Sequence, residues 1–208
     1  MHARPDDPRT PIRLGYHGSP HVATRIVRAA GRAADEIDLA VYDIADPFRA
    51  LRAGDLDAMV VKFGLAEPDL RRGAELATDA RAVVVGDGHP LAGRASVSIE
   101  ELAAFDAFDR PGRLPAYIWD EVVPPATPAG RPIRRRHRVR TVPEMFALVA
   151  AGEAVHVSLA SLADIAPPGV RVVPVHDLPP APVSLAWRRD LDRDDVLAFV
   201  KDAEAGAA

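Results

Sequence analysis

Short apolar runs alternate with amphipathic stretches along most of the chain. Residues 12–16 form an apolar run that predicts a strand, and residues 20–34 follow with the spacing of a helix. The runs 37–44 and 57–63 predict two further strands, with a short helix within 47–54 between them. Because strands that alternate with helices usually pair in parallel, this half of the chain predicts a parallel α/β sheet.

A second α/β run follows an extended stretch at 72–88. Its predicted strands lie at 105–109, 133–139, 154–160, 170–178 and 182–188. Its predicted helices lie at 117–122, 142–152 and 192–206. Two predicted helix starts have the spacing of a capping box, Ser98 with Glu101 and Thr141 with Glu144. The whole pattern predicts an α/β protein with two similar halves joined by extended segments.

The composition narrows the class of protein. The chain has 208 residues and 48% hydrophobic content, enough for a sizeable core. A net charge of -4 and a pI near 6.0 argue against a protein that mainly coats nucleic acid or anionic membrane. The absence of cysteine excludes disulfides, thiolate metal sites and a cysteine nucleophile. No signal-peptide core and no run of roughly 18 apolar residues is present, so we expect a cytoplasmic protein without a membrane segment.

Five stretches together resemble the effector-binding (substrate-binding) domain of LysR-type transcriptional regulators. They read PIRLGYHGSP, FRALRAGDLDAMVV, ARAVVVGDGHPLAGRASVSIEELAAF, VPEMFALVAAGEAVHVSLASLA and PVSLAWRRD. These stretches keep the family's order and spacing from Pro11 to Ala203. Each stretch alone is a weak signal, and their combination is specific.

The resemblance implies a type-2 periplasmic-binding-protein fold. Such a fold has two Rossmann-like lobes, two crossover segments and a small effector held in the interlobe cleft. On this basis residues 1–10 form a flexible tail, residues 11–83 and 188–208 form lobe I, and residues 84–187 form lobe II. The resemblance also implies a homodimer or pairing with another regulator.

The sequence also departs from the family pattern. Only ten residues precede Pro11, where the resemblance begins, so we expect no room for the family's N-terminal winged helix-turn-helix. We therefore expect no direct nucleic-acid binding, and regulation of transcription through a partner. Ile44 stands where the family usually has Ser or Thr, and the strand at 154–159 has lost a glycine and a proline and gained His156. The family's usual effectors therefore do not carry over.

The stretch LGYHGSPHVA holds the first candidate site. Ser19 before Pro20 predicts a helix N-cap, and such a helix start attracts anions. By resemblance this turn, including Gly18, contacts the effector; a purely structural cap is the alternative. His17 and His21 lack the one-face spacing of a zinc helix and have no third ligand nearby, so no metal is expected. They are either cleft-facing polar groups or exposed histidines on a loop rim.

Five further residues, at three places in the chain, are candidate ligand contacts. Lys62 and the following Phe63 end a predicted strand, where α/β folds place ligands. Arg110 follows another strand and offers a planar fork for a carboxylate. By resemblance, the helix start at 141–142, that is Thr141 and Val142, faces the cleft as a second anion site. For each position, a solvated side chain or a plain cap remains the alternative.

Two other functions, nucleic-acid binding and catalysis, have less support in the sequence. The run RPIRRRHRVR at 131–140 carries six arginines and could indicate a nucleic-acid patch. However, strand alternation splits the arginines between two faces and no aromatic residues interleave, which favours a solvated strand edge.

No hydrolase elbow, phosphate loop or metalloprotease motif is present, and no cofactor is expected. An enzyme acting on a small polar metabolite stays open as the alternative function. Its general acid/base groups would be drawn from His17, His21, His156 and Asp109.

Overall fold

The computed structural model describes residues 10–207, which fall into two units. Unit 1 holds the chain up to Tyr42, Phe48–Ala77 and the chain from Val183 on. Unit 2 holds Asp43–Pro47 and Thr78–Pro182. Nine of the ten residues of the expected tail lie outside the described residues.

The described residues form eleven strands, six α-helices and one 3-10 helix. The strands are β1 Ile12–Tyr16, β2 Ile37–Val41, β3 Ala58–Lys62, β4 Leu70–Arg72, β5 Ala77–Asp79, β6 Arg81–Gly86, β7 Asp106–Phe108, β8 Arg134–His137, β9 His156–Leu159, β10 Val170–Pro174 and β11 Ala181–Arg188. The helices are α1 Pro20–Ala29, α2 Arg49–Arg52, α3 Ile99–Leu102, α4 Ala116–Val122, α5 Val142–Ala150 and α6 Asp194–Ala207, with the 3-10 helix at Ala160–Ile165.

The boundaries between the units differ from those expected for the lobes. The chain changes unit at 77/78 and 182/183, several residues before the expected 83/84 and 187/188. The physical reason is that β6 pairs entirely within the second sheet, whereas nearly all of β11 pairs within the first. A short segment, 43–47, also belongs to unit 2 although both of its flanks belong to unit 1.

The sheet of unit 1 runs in the order β2, β1, β3, β11, β4. Strand β1 pairs in parallel with both β2 and β3, as the alternation of strands and helices predicted. Strand β11 returns antiparallel between β3 and β4. The carboxyl ends of β1, β2 and β3 therefore lie on one edge of this sheet.

The core of unit 1 lies between this sheet and helices α1 and α6. Leu14 of β1 and Phe199 of α6 are fully buried there, alongside Ile26 of α1. Full burial of side chains of this size contributes about 1.5–3 kcal/mol each to stability. The helix predicted over 20–34 ends at Ala29, because Gly31 takes a left-handed φ of 66° just beyond it.

Unit 2 contains two smaller sheets. In the first, β6 lies between β10 and β9 and is antiparallel to both. In the second, β7 pairs in parallel with β8. The capping box predicted at Ser98 and Glu101 is confirmed at the start of α3, where both reciprocal bonds form.

Candidate functional site

The first candidate site lies at the carboxyl edge of the unit 1 sheet. Strands β1, β2 and β3 end there at Tyr16, Val41 and Lys62. Helix α1 begins four residues after β1 ends, so its amino terminus lies at the same edge. Here "the unit 1 edge" means residues 17–21, Tyr42 and residues 62–63.

Ser19 forms the N-cap that the sequence predicted. Its backbone is extended, with φ -68° and ψ 125°, and its Oγ accepts a hydrogen bond of 3.2 Å from the His21 N–H. Ser19 is only 1% exposed, and Gly18 before it takes a left-handed φ of 78°. Helix geometry leaves the first-turn N–H groups without partners inside the helix, so this turn suits an anion.

The two histidines occupy different environments. His17 is half-buried; its Nδ1 lies 3.4 Å from the Tyr42 carbonyl oxygen, and the two rings are 5.7 Å apart. The Tyr42 hydroxyl donates to the Val60 carbonyl oxygen at 3.3 Å. Burial raises the pKa of Tyr42, so its hydroxyl stays protonated at neutral pH. His21, by contrast, is exposed in the first turn of α1.

Lys62 and Phe63 close the same edge. Lys62 is half-buried, and strand alternation puts it on the sheet face that packs α1, since Ala58 and Val60 belong to that core. Phe63 is buried and takes a left-handed φ of 71°, and its carbonyl oxygen accepts from Arg72 Nη1 at 3.1 Å. Such a φ is unfavourable for a bulky residue, so the surrounding packing must hold it. The unit 1 edge thus brings together His17, Gly18, Ser19, His21, Lys62 and Phe63.

Unit 2 holds the other candidates. Arg110 is exposed, and its Nη1 donates to the Leu114 carbonyl oxygen at 2.7 Å, which closes the 110–114 turn. Asp109 accepts the Arg110 N–H at 2.8 Å, and Arg138 also donates to it. This backbone N–H, and secondarily Arg138, lower the pKa of Asp109. Part of the Arg110 guanidinium is therefore already engaged within the protein.

The predicted capping box at α5 is only half right. Thr141 caps the helix, with its Oγ accepting the Glu144 N–H at 3.3 Å. The Glu144 carboxylate, however, accepts from the Arg140 N–H at 2.8 Å, one residue before the expected donor. Thr141 is exposed and Val142, the first helical residue, is half-buried. Whether either contacts a ligand stays a prediction.

The proposed acid/base set is divided. His17 and His21 belong to unit 1, whereas Asp109 and His156 belong to unit 2. His156 stacks on Trp119 at 6.0 Å with an interplanar angle of 20°, and meets Phe108 edge-on at 5.5 Å. This ring packing could not be predicted from the sequence, because it joins residues far apart in the chain. Across residues 10–207, no three His, Cys, Asp or Glu side chains form a group able to hold a metal ion.

The arginine run lies along β8 and the residues that flank it. Its side chains form ion pairs with nearby carboxylates: Arg131 with Glu100, Arg134 and Arg136 with Asp106, Arg135 with Asp120, and Arg138 with Asp109. Arg136 and Arg138 are 68% and 83% exposed. Exposed, internally paired arginines are in keeping with a solvated strand edge.

Comparison with known families decides the affiliation. The model of the LysR substrate binding domain matches residues 5–205, almost the whole chain. The chain belongs to the LysR substrate-binding domain family. The resemblance found in the sequence is thereby confirmed, together with the expected two-lobed α/β fold of the type-2 periplasmic-binding-protein kind. A search of curated proteins returns no match.

Solved structures of other LysR proteins share the fold. Full-length CbnR complexed with its target DNA matches with a TM-score of 0.73 and 21% identity, over 96% of this chain and 71% of that chain. The QuiR effector-binding domain in complex with shikimate gives 0.69 and 17%, over 96% and 95%. The BenM effector-binding domain with its effector benzoate gives 0.66 and 22%, over 93% and 90%. At these identities the likeness establishes the fold alone. Within the part of the chain that the structure describes, no helix is long and apolar enough to cross a membrane.

Proposed function

We propose that this LysR-type effector-binding domain takes a small organic anion at the unit 1 edge. The observation that carries the proposal is that the α1 amino terminus, capped by buried Ser19, and Lys62 at the end of β3 lie at the same edge of the unit 1 sheet. The helix terminus contributes partial positive charge and N–H donors, and the lysine contributes a full positive charge.

Neighbouring groups set the chemistry that this edge favours. Lys62 as a whole residue is half-buried. A partly buried charge is screened less by salt than a fully exposed one, so Lys62 should attract an anion more strongly than a surface lysine does. His17 and the protonated Tyr42 add polar atoms and ring surface. A carboxylate attached to a small ring fits this mixture of charge, donors and ring surface.

The solved relatives support this class of ligand. QuiR is recorded with shikimate and BenM with benzoate, and both compounds are carboxylates on a six-membered ring. This chain differs at positions such as Ile44 and His156, so its own effector need not be either compound. Both serve as first probes.

The test is a thermal-shift and calorimetry screen of small carboxylates, with benzoate and shikimate included. A compound that binds only the folded protein raises Tm by mass action. The chain has two lysines, so Lys62→Met has a matched control in Lys201→Met, at an exposed position of α6. We expect Lys62→Met to abolish the shift and Lys201→Met to keep it. Equal shifts in both variants would refute the assignment of the site.

The fate of the ligand separates a sensor from an enzyme. We expect the stabilising carboxylate to be recovered unchanged, since a regulator reads occupancy through the state that its ligand favours. Recovery of a chemically altered compound, lost in His17→Ala, would instead favour catalysis on a small polar metabolite.

The partner and location complete the proposal. We expect the domain to act in the cytoplasm on transcription, either as a homodimer or paired with another regulator. Light scattering coupled to size-exclusion chromatography measures the first option directly. A monomer at all concentrations would leave pairing with another regulator as the route.

A further inference from the structure

The segment 43–47, which reads DIADP, links β2 to α2 but packs with unit 2. Tyr42 before it and Phe48 after it both belong to unit 1. The chain therefore leaves unit 1 for only five residues and returns. A connection this short has no need of packing partners outside its own sheet, so its contacts in unit 2 require an explanation.

Gly112 provides the surface on which the segment rests. Its φ is 46°, and a Cβ added there would lie 2.5 Å from the Ala45 carbonyl oxygen and 2.7 Å from the Ala45 Cβ. No side chain fits in that space. The next residue, Arg113, donates its backbone N–H to the same Ala45 carbonyl oxygen at 2.5 Å. Ala45 is consequently only 7% exposed.

Both partners are held in shape by their own bonds. Asp43 accepts the Ala45 N–H on its Oδ1 at 2.8 Å, and its carbonyl oxygen accepts the Asp46 N–H at 3.1 Å. On the other side, Arg110 closes the 110–114 turn, and the Leu114 N–H donates to the Pro111 carbonyl oxygen at 3.1 Å. Two preformed turns thus meet through one backbone hydrogen bond, one close glycine contact and a long, solvent-exposed ion pair between Arg113 Nη1 and Asp46 Oδ2 at 4.0 Å.

The segment continues directly from the unit 1 edge. Tyr42 is its covalent neighbour, and the Tyr42 carbonyl oxygen lies 3.4 Å from His17 Nδ1. Any change in where Ala45 sits acts on Tyr42 through only two intervening residues. The contact at Gly112 is therefore well placed to respond to what binds beside His17.

We propose that residues 43–47 form a latch that docks on Gly112 and Arg113, and that its docking is coupled to occupancy of the unit 1 edge. The coupling rests on the proposed function; the docking does not. A latch made of one backbone hydrogen bond, a steric fit and one exposed ion pair of 4.0 Å, which contributes little, opens locally without unfolding the rest of the protein. By linkage, a ligand that favours the docked latch binds more weakly once docking is prevented.

Hydrogen exchange at the Arg113 amide tests the docking directly. Gly112→Ala should accelerate exchange at Arg113 by about tenfold or more, because the added Cβ displaces Ala45. The control is Gly130→Ala. Gly130 also has a positive φ, 78°, but no atom lies within 4 Å of a Cβ added there. The Leu114 amide should keep its protection in both variants, which shows that the 110–114 turn is intact. Unchanged exchange at Arg113 in Gly112→Ala would overturn the latch.

A second pair of variants tests the latch from its own side. Asp43→Ala removes the acceptor of the Ala45 N–H and should also raise exchange at Arg113. Asp43→Asn keeps an oxygen acceptor and should restore protection. If exchange at Arg113 is the same in Asp43→Ala and Asp43→Asn, the Asp43 side chain does not hold Ala45 in position against Gly112. That result would contradict the proposed latch.

The coupling is tested with a carboxylate that raises the Tm of the unmodified protein. That compound should increase protection at Arg113, and Gly112→Ala should weaken its binding severalfold while Gly130→Ala does not. A carboxylate that raises Tm without changing exchange at Arg113 refutes the coupling. If no carboxylate raises Tm, the proposed function fails, while the exchange of Arg113 in the variants still decides the docking.

Discussion

Substitution of Ser19 separates the structural role of this residue from a role in ligand binding. Ser19→Ala removes the Oγ that accepts the His21 N–H at 3.2 Å, at a position only 1% exposed. Loss of an N-cap costs about 0.5–2 kcal/mol, and burial of the orphaned N–H puts this site in the upper half of that range. For a chain of this size, about 1.5 kcal/mol lowers Tm by roughly 3–6 °C.

Two further variants of Ser19 differ only in charge. Asn and Asp both cap helices about as well as Ser, so Ser19→Asn and Ser19→Asp should each recover much of the stability lost in Ser19→Ala. The carboxylate of Ser19→Asp, however, places a negative charge where the ligand anion is expected, and should abolish stabilisation by added carboxylates. Ser19→Asn should bind them measurably better.

Thermal and urea denaturation, with and without the ligand, measures both effects. If Ser19→Ala is as stable as the unmodified protein, the Ser19 N-cap does not contribute the stability that we assign to it. Equal carboxylate binding by the Asn and Asp variants would refute the placement of the anion at this helix start.

Two other predictions concern stability. Asp57 is 4% exposed; it accepts the Arg13 backbone N–H and guanidinium at 2.6–3.1 Å and pairs with Arg193 at 3.2 Å. Asp57→Ala should therefore cost about 3 kcal/mol in urea denaturation, because it takes this buried carboxylate from both arginines. A loss below about 1 kcal/mol, as at a surface pair, would contradict this. Asp177 has a lowered pKa, opposed by burial and caused by the Ser98 hydroxyl and the Ile99 N–H. Its contribution is therefore full above the ordinary carboxyl pKa and is lost as pH falls through the lower, folded value. Asp177→Asn should flatten the acid side of a plot of Tm against pH, and an unchanged slope would contradict the assignment.

Local signals in the sequence predicted the local structure well. Ser19 and Pro20 marked the start of α1, and Ser98 with Glu101 marked that of α3, because capping depends on residues within one turn. The predicted end of α1 was wrong. The hydrophobic spacing of a helix continues past Gly31, although the residues there are no longer helical.

Long-range features were beyond the sequence pattern. Nothing in DIADP indicates packing on Gly112, since that contact joins residues far apart in the chain. The left-handed φ of Phe63 was equally hidden, because only glycine and asparagine commonly signal that conformation. In the sequence, His156 stood out only as a polar residue that the family pattern does not have in this strand. The structure shows that its ring packs against Phe108 and Trp119.

The most direct test of the anion site is an NMR titration of the labelled protein with a carboxylate that raises its Tm. We expect the largest amide shifts on Gly18, on His21 and Val22 in the first turn of α1, and on Phe63. Large shifts confined to other parts of the chain, with these four amides unmoved, would contradict it.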